Sequence, residues 1–303
     1  MSYIEFYEKG FLRKRREELD KLLQDCHLCP RLCRANRWED EKGFCGAGRR
    51  AVVSSYNLHF GEEPPISGYR GSGTIFFTHC NLRCCFCQNY PISQLGNGQE
   101  VEAGEVARMM VRLQKLGAHN INFVTPTHFV PQIVEALELA IKDGLKIPLV
   151  YNSGGYDSLE TLQLLDGIVD IYMPDAKYSD PESGRKYSRA ADYFEVNKKA
   201  LLEMHRQVGD LKMDKEGIAK RGMLVRHLVL PEDIAGSRKV LEFIARSISQ
   251  DTYMSIMAQY HPAHLAFEFP ELSRRISKKE YDAVLKIADE LGLERGWRQE
   301  LWG

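Results

Sequence analysis

The sequence has no long apolar run and almost no net charge. No stretch of about 18 apolar residues occurs among its 303 residues, and residues 1–23 lack the apolar core of a signal peptide. Lysine and arginine number 41 against 42 acidic residues, so the formal net charge is -1. This balance gives no field that would indicate nucleic acid or an anionic membrane as a partner. We therefore expect a soluble cytoplasmic protein that binds neither.

Cysteine is absent from the sequence after residue 87. The eight cysteines form two groups of four, namely Cys26, Cys29, Cys33 and Cys45, then Cys80, Cys84, Cys85 and Cys87. Core cysteines are usually scattered, whereas these stand at spacings typical of ligands. In a chain without a secretory signal, such grouping favours metal binding or catalysis over disulfide bonds.

The composition of the sequence changes twice along the chain, which predicts three structural regions. Residues 11–25 predict an amphipathic helix, and residues 26–73 carry the first four cysteines, many Gly and Pro residues and little helical periodicity. We predict a helix and cysteine-rich module over 1–70, a catalytic domain over 71–265 and a helical extension over 266–303. In the extension, Ser277 is the candidate N-cap and Gly292 the candidate C-cap of one helix.

Short apolar runs alternate with helical patterns from residue 74 onward. Buried strands are predicted over residues 74–78, 121–125, 147–151, 169–173, 223–230 and 253–260. Helices are predicted over residues 104–117, 131–144, 158–167, 193–209 and 237–248. This alternation predicts an α/β fold with a parallel sheet, and six strands suit a partial (β/α)6 barrel with functional groups at the strands' carboxyl ends. The long polar segment 179–192 is predicted to be a lid or binding loop.

The second cysteine group follows the first predicted strand directly. The loop with Cys80, Cys84, Cys85 and Cys87 could wrap around an iron–sulfur cubane, which is usually held by four thiolates. With three protein ligands, one iron would stay open to an outside ligand. The alternatives are a zinc site or a redox-active cysteine pair. Cys85 is an extra thiol beside Cys84, and we interpret it as a small buried hydrophobic residue.

The run CNLRCCFC resembles the CxxxCxΦC motif of the radical S-adenosylmethionine (SAM) superfamily, with Phe86 at the aromatic position. The resemblance implies a partial barrel of the radical SAM type with a [4Fe-4S] cluster on Cys80, Cys84 and Cys87. It implies that the open iron chelates SAM and that one electron cleaves SAM to methionine and a 5′-deoxyadenosyl radical. A low-potential donor, flavodoxin or ferredoxin, is implied as the electron source.

Residues at the next two strand ends extend the resemblance. Thr125, Pro126 and Thr127 stand where the superfamily usually has a Gly-Gly-Glu motif that contacts the SAM amino group, and the sequence departs from that motif. Asn152 and Gly154 resemble a turn found in glycyl-radical-enzyme activating enzymes. Glycine there would allow close approach of SAM.

Two later strands carry charged or titratable candidates. Asp175 and Lys177 resemble the Asp-x-Lys motif of the same activating enzymes, in which the lysine would pair with the SAM carboxylate or a substrate anion; a surface salt bridge is the alternative. His227 resembles part of that group's RxxxxP pattern and is a candidate cofactor contact. Equally, a histidine within a strand is often a hydrogen-bonded core residue.

The first cysteine group predicts a closed site. Cys26, Cys29, Cys33 and Cys45 can bind zinc or a second iron–sulfur cluster, and the spacing does not choose between them. A fully ligated site favours structural support or electron relay over chemistry.

Together, the motifs resemble the pyruvate-formate-lyase-activating-enzyme-like group of radical SAM proteins, whose substrates the motifs do not specify. One hypothesis is an activating oxidoreductase that abstracts hydrogen from a glycine of a glycyl radical enzyme. Another is a radical enzyme acting on a small molecule or peptide. A third, less favoured hypothesis is a cluster or zinc protein that senses redox state without turnover.

Overall fold

The computed structural model describes residues 2–301 and has one central sheet. Within that range the sheet has ten strands. They are β1 (Ala51–His59), β2 (Ser72–Phe77), β3 (Gln99–Val101), β4 (Ile121–Val124), β5 (Leu149–Ser153), β6 (Ile171–Pro174), β7 (Lys212–Met213), β8 (Ala219–Leu228), β9 (Tyr253–Met257) and β10 (Gly296–Arg298).

Helices connect the strands and cover the sheet. They are α1 (Tyr3–Glu8), α2 (Phe11–Lys21), α3 (Pro64–Ser67), α4 (Tyr90–Ser93), α5 (Ala103–Lys115), α6 (Val130–Lys142), α7 (Leu159–Leu164), α8 (Pro181–Ser188), α9 (Tyr193–Val208), α10 (Ser237–Phe243) and α11 (Lys278–Glu290). A π-helical turn, Ile244–Ile248, continues α10. Each predicted helix has a counterpart among these elements.

The six predicted strands form the parallel centre of the sheet. The strand order is β10-β9-β8-β6-β5-β4-β2-β1-β3, with β7 paired to β8. From β2 to β9 along this order every neighbouring pair is parallel, which confirms the predicted α/β fold with a mostly parallel sheet. Antiparallel β1 and β3, which the apolar runs did not predict, extend the edge beyond β2.

Two apolar clusters lie on opposite faces of the strands. The smaller one contains Ile66 of α3 together with Val150, Ile171 and Leu224, and these three strand residues alternate with residues of the larger core. Because side chains alternate between faces along a strand, the same face continues to Asn152 and Arg226 toward the carboxyl ends. On this face of the sheet, polar side chains therefore lie at the carboxyl ends of the strands, next to the smaller apolar cluster.

The segment 179–192 is not the loop that the sequence analysis predicted. It contains helix α8, which begins after Asp180, whose side chain accepts a hydrogen bond from the Ser183 amide. Pro181 occupies the first helical position, and Arg189 ends the helix with a φ of 53°. Asp followed by Pro is a strong helix start, so the polar composition concealed a short helix.

The C-terminal helix begins and ends where its capping residues indicate. Ser277 and Glu280 form a reciprocal capping box at the start of α11. Gly292 follows the last turn with a φ of 72°, as expected of a glycine just beyond a helix. Among residues 2–301, no helix is both long and apolar enough to cross a membrane.

Asp170, just before β6, gives the fold a pH dependence. Its Oδ2 accepts a hydrogen bond from the Leu149 amide at 3.0 Å, and burial raises its pKa to about 6, against about 3.9 in an unfolded chain. The folded chain holds this proton more tightly, so the stabilisation is complete below pH ~4 and is lost as the pH rises through ~6.

The uncharged variant Asp170→Asn should therefore be more stable than wild type above pH ~6. We expect a gain of about 1–2 kcal/mol in the free energy of unfolding at pH 7.5 and about a third of that gain at pH 4.5. Urea unfolding followed by circular dichroism at the two pH values measures the difference. An equal gain at both values would contradict the assignment.

Candidate functional site

A cavity opens at the carboxyl ends of the parallel strands. Cys80, Cys84 and Cys87 line it from the loop after β2. The strand ends on the other sides contribute Thr125, Asn152, Ser153, Gly154, Asp175, Lys177, Arg226, Leu228, Met257 and Gln259. The structure thus brings together all three cysteines of the CxxxCxΦC run and five of the eight predicted cofactor contacts.

The loop that carries the three cysteines is held by hydrogen bonds from several elements. Asn81 Nδ2 donates to the Tyr156 carbonyl at 2.6 Å, and the Cys87 amide donates to the Cys84 carbonyl at 3.2 Å. The Cys85 amide donates to the Tyr187 carbonyl of α8, and the Cys85 carbonyl accepts from the Leu265 amide, both at 2.8 Å. These contacts fix the loop between α8 and the segment after β9.

Cys85 does not line the cavity. Its side chain is buried in the core, and burial raises the pKa of its thiol to about 12. Cys80, Cys84 and Cys87 line the cavity together, whereas Cys85 packs in the core outside that lining and is not placed to join them as a ligand. This position agrees with its interpretation as a small buried hydrophobic residue.

The three cavity thiols influence one another electrostatically. Burial and then the charges of Cys84 and Cys87 raise the pKa of Cys80 to about 12. Burial also raises the pKa of Cys84, against the lowering effect of Lys177. Three such thiols would ionise together only beside a strong positive charge, which is what a metal cluster supplies. Within residues 2–301, no three or more His, Cys, Asp or Glu side chains surround a point where one metal ion could bind.

An ion-pair network lies at the bottom of the cavity. Arg226 Nε contacts Asp175 Oδ1 at 3.1 Å, Arg226 Nη1 contacts Glu62 Oε2 at 3.2 Å, and Lys177 Nζ contacts Asp175 Oδ2 at 2.6 Å. Asn122 Nδ2 also donates to Glu62 Oε1 at 3.0 Å. The sequence analysis did not select Glu62, although two adjacent glutamates in GEEPPIS were a visible signal.

The network sets the charge of each member. Burial alone would raise the pKa of Asp175, but Lys177 and Arg226 outweigh it, so this pKa lies below its usual range. Burial alone would lower the pKa of Lys177, but Asp175 holds it above its usual range. Burial raises the pKa of Glu62 against the opposing effect of Arg226. A cationic Lys177 beside an ionised Asp175 therefore faces the thiols.

Thr125 has an unusual backbone conformation at the end of β4. Its φ is 59°, and its amide donates to the Asn152 carbonyl at 2.9 Å. A β-branched residue in this region is strained, and such strain concentrates at functional sites. The position is the one where the resemblance places a glycine of the Gly-Gly-Glu motif, which would adopt this φ without strain.

Three predicted cofactor contacts lie outside the cavity lining. Pro126 turns the chain behind Thr125, and Thr127 Oγ1 donates to Asp157 Oδ1 at 2.7 Å. His227 is fully buried with its ring nitrogens 2.6 Å from the Ala176 carbonyl and 2.9 Å from Ser237 Oγ. The structure therefore places His227 as the hydrogen-bonded core residue that the sequence also allowed.

Asp157 holds the turn after β5 from below. Besides Thr127, its carboxylate accepts hydrogen bonds from Tyr151 at 2.9 Å and Ser153 at 2.6 Å. In the same turn, the backbone of Gly155 packs closely against the end of β6. Its φ is 71°, and a Cβ built on it would lie 2.0 Å from the Asp175 carbonyl oxygen. This contact joins the ends of β5 and β6, and the sequence analysis had singled out neither Asp157 nor the close approach.

The first cysteine group gathers in the segment before β1. Burial and then the charges of Cys45, Cys26 and Cys33 raise the pKa of Cys29, and Cys26, Cys29 and Cys45 are buried. A Cβ on Gly43 would lie 2.2 Å from Cys33 Sγ, so only glycine fits there. The group packs against the cavity loop, since Arg31 Nε donates to the Asn81 carbonyl at 2.8 Å and Arg83 Nη2 donates to the Phe44 carbonyl at 2.7 Å.

The sequence can now be compared with known families. Residues 74–244 match the family model described as the radical SAM superfamily, which is more than half of the 303 residues. The chain belongs to the radical SAM superfamily. The matched region begins in β2 and contains the three cavity cysteines. It also contains the cavity-lining residues at the ends of β4, β5, β6 and β8. Membership in the radical SAM superfamily implies an enzyme that uses a [4Fe-4S] cluster and SAM.

Two proteins of Methanocaldococcus jannaschii are similar over nearly the whole chain. The uncharacterised protein MJ0674 is 31% identical over 300 residues, which cover 96% of this chain and 82% of that protein. The uncharacterised protein MJ0808 is 23% identical over 300 residues, covering 92% of this chain and 81% of the other.

Two solved structures are similar at low sequence identity. The structure titled native anSMEcpe with bound AdoMet is 15% identical with a TM-score of 0.47, and the match covers 75% of this chain and 59% of that one. The structure of HydG, a maturase of the [FeFe]-hydrogenase, is 11% identical with a TM-score of 0.48, covering 78% and 54%.

Proposed function

We propose that Cys80, Cys84 and Cys87 hold a [4Fe-4S] cluster with one open iron and that the protein uses it to cleave SAM reductively. The observation that carries this proposal is the meeting of three thiols with the strand-end polar groups in one cavity. When bound, the cluster would supply one electron that splits SAM into methionine and a 5′-deoxyadenosyl radical. The radical would then take a hydrogen atom from the substrate.

The residues around the thiols suit the polar end of SAM. Lys177 is a cation that lines the same cavity as Cys84, so it can pair with the SAM carboxylate. The carboxylate of Asp175 and the side-chain oxygen of Asn152 can accept from the SAM ammonium group. Gly154 lines the cavity without a side chain, and a Cβ built there would lie 3.1 Å from Leu82 Cδ1 and 3.8 Å from Lys177 Cε, so its absence lets the adenosine part approach the backbone.

Anaerobic reconstitution tests the central proposal. The protein is loaded with iron and sulfide, reduced with dithionite in the presence of SAM, and analysed for 5′-deoxyadenosine by chromatography. Formation of 5′-deoxyadenosine with methionine supports SAM cleavage. A fully loaded protein that forms neither would reject the proposal and favour a sensing or structural role.

For the substrate, we propose a glycine of a peptide segment, as in an activating enzyme for a glycyl radical enzyme. Uncharged amides, Gln88, Asn89, Gln94 and Gln259, line the outer part of the cavity. Such side chains pair well with the neutral N–H and C=O groups of an extended peptide. A small charged metabolite would instead favour charged groups at this level, so this observation ranks the small-molecule hypothesis second.

Deuterium transfer distinguishes the two substrate classes. Peptides with α-deuterated glycine, and a glycyl radical enzyme from the same source, are incubated with the loaded protein, SAM and reductant. Deuterium in 5′-deoxyadenosine, with a glycyl radical signal by electron paramagnetic resonance, supports the activating role. SAM cleavage without transfer from any glycine would contradict it.

We also propose that Cys26, Cys29, Cys33 and Cys45 form a second, closed metal centre. In the described part of the chain, the four side chains as placed do not surround one metal ion, so the proposal rests on their ligand-like spacing in the sequence and on the burial that raises the pKa of Cys26 and Cys29, which a bound metal would offset. The hydrogen bonds of Arg31 and Arg83 link this group to the cavity loop. The centre therefore suits structural support of that loop or electron relay to it, with flavodoxin or ferredoxin as the outside donor.

The variant Cys29→Ala should remove the metal of this centre alone. If the centre is a cluster, we expect iron to fall from about eight to about four atoms per chain. If it is zinc, about one zinc per chain should disappear with iron unchanged. Elemental analysis measures both, with Cys85→Ala as the control. Unchanged iron and zinc in Cys29→Ala would contradict a second centre.

A further inference from the structure

A pair of buried hydroxyls leads to one of the cavity thiols. Ser188, the last residue of α8, places its Oγ 2.9 Å from Cys84 Sγ. The phenol oxygen of Tyr178 lies 2.9 Å from the same Ser188 Oγ. Ser188 is 0% exposed and Tyr178 is 1% exposed, so water does not reach either hydroxyl. The three groups form a chain of hydrogen bonds from Tyr178 through Ser188 to Cys84.

The direction of this chain follows from the donors available. A thiolate can only accept, so beside an ionised Cys84 the Ser188 hydroxyl must donate its hydrogen to sulfur. The Ser188 oxygen is then free to accept from Tyr178. Burial raises the pKa of Tyr178 well above its usual value, so its hydroxyl keeps the proton that it donates.

The backbone holds Ser188 rigidly against the cysteine loop. The Arg83 amide donates to the Ser188 carbonyl at 3.2 Å, and the Cys85 amide donates to the Tyr187 carbonyl at 2.8 Å. These two bonds flank Cys84 on both sides. A hydroxyl fixed in this way loses little entropy when it bonds to sulfur, so its effect on the ligand is strong.

We propose that Ser188 is a positioning residue that raises the reduction potential of the cluster through its hydrogen bond to Cys84, with Tyr178 orienting the Ser188 hydroxyl. This inference rests on the proposed cluster at Cys80, Cys84 and Cys87. Reduction adds negative charge to the cluster and its sulfur ligands, and a hydrogen-bond donor on a ligand sulfur stabilises that charge. Ser188 therefore makes the one-electron reduction that precedes SAM cleavage easier.

The variant Ser188→Ala tests the proposal through the cluster's potential. At a fixed applied potential near the midpoint, we expect the ratio of reduced to oxidised cluster to fall about tenfold, which is about 59 mV for a one-electron couple. Redox titration followed by the electron paramagnetic resonance signal of the reduced cluster measures it. Tyr178→Phe should shift the potential in the same direction by less, because it removes only the orienting partner.

Ser183→Ala is the matched control: Ser183 is half-buried in the first turn of the same helix, its hydroxyl bonds to Asp180 and not to a cysteine, and the variant should leave the potential unchanged. An unchanged potential in Ser188→Ala with normal iron content would overturn the inference. If Ser188→Ala does not fold, the reduction potential of Tyr178→Phe tests the inference instead. A wild-type potential in Tyr178→Phe would also overturn it. A wild-type protein that binds no cluster would instead reject the proposed function, so the two failures are distinguishable.

Discussion

Alanine in place of Cys84 is expected to reduce 5′-deoxyadenosine formation more than about a hundredfold, since even outer partners of metal ligands contribute factors of 10–100. Cys84 is the middle of the three cavity thiols and is buried among the other site residues. Two thiolates cannot hold a cubane, so iron bound at this site should be lost with the activity. Iron analysis and chromatography of the nucleoside product measure both effects.

Cys85→Ala is the matched control for this experiment. It removes the neighbouring thiol, which is buried in the core and does not line the cavity. Its backbone bonds to Tyr187 and Leu265 do not involve the side chain. We expect iron content and activity within about twofold of wild type, as for a small change in a core residue. Equal losses in the two variants would mean that the loop, and not the spacing of ligands, determines activity.

The variant Gly155→Ala is expected to lower the free energy of unfolding by about 3–5 kcal/mol. Gly155 has a φ of 71°, and a Cβ would lie 2.0 Å from the Asp175 carbonyl oxygen and 2.4 Å from Asn197 Nδ2. Neither neighbour can move without shifting the end of β6 or breaking the hydrogen bonds of Asn197 to the Gly155 and Asp175 carbonyls. Chemical unfolding measures the loss.

Gly144→Ala is the control that separates the steric clash at Gly155 from the cost of a positive φ for alanine. Gly144 has a φ of 90°, and nothing lies within 4 Å of a Cβ built on it. This variant should lose only about 1–2 kcal/mol, the cost of a left-handed conformation for an L residue. Similar losses in the two variants would show that the contact between β5 and β6 contributes nothing.

The parallel centre of the sheet was predictable because its strands are apolar on both faces. Residues 121–125 and 169–173, for example, appear in the structure as β4 and β6 with bounds shifted by no more than two residues. Strand β1 was missed because its burial changes along its length, from buried Ala51 to exposed Ser54. A pattern of that kind depends on the partner strand, which a local apolar run does not reveal.

Site residues could be predicted from the sequence when they lie at the carboxyl end of an apolar strand or just after it. Asp175, Lys177 and Asn152 meet this condition, and each lines the cavity. Glu62 does not, because it comes from a loop that enters the sheet's interior from another part of the chain. Asp157 was missed for a related reason, since its role depends on hydroxyls from three positions that only the folded turn brings together.

The order of the site residues along the chain determines when the site can form during synthesis. All eight cysteines lie within the first 87 residues, whereas Arg226, Met257 and Gln259 complete the cavity near the end of the chain. A nascent chain thus displays its thiols long before the walls that bury them exist. The cavity around Cys80, Cys84 and Cys87 can therefore close only after the chain has been made as far as residue 259.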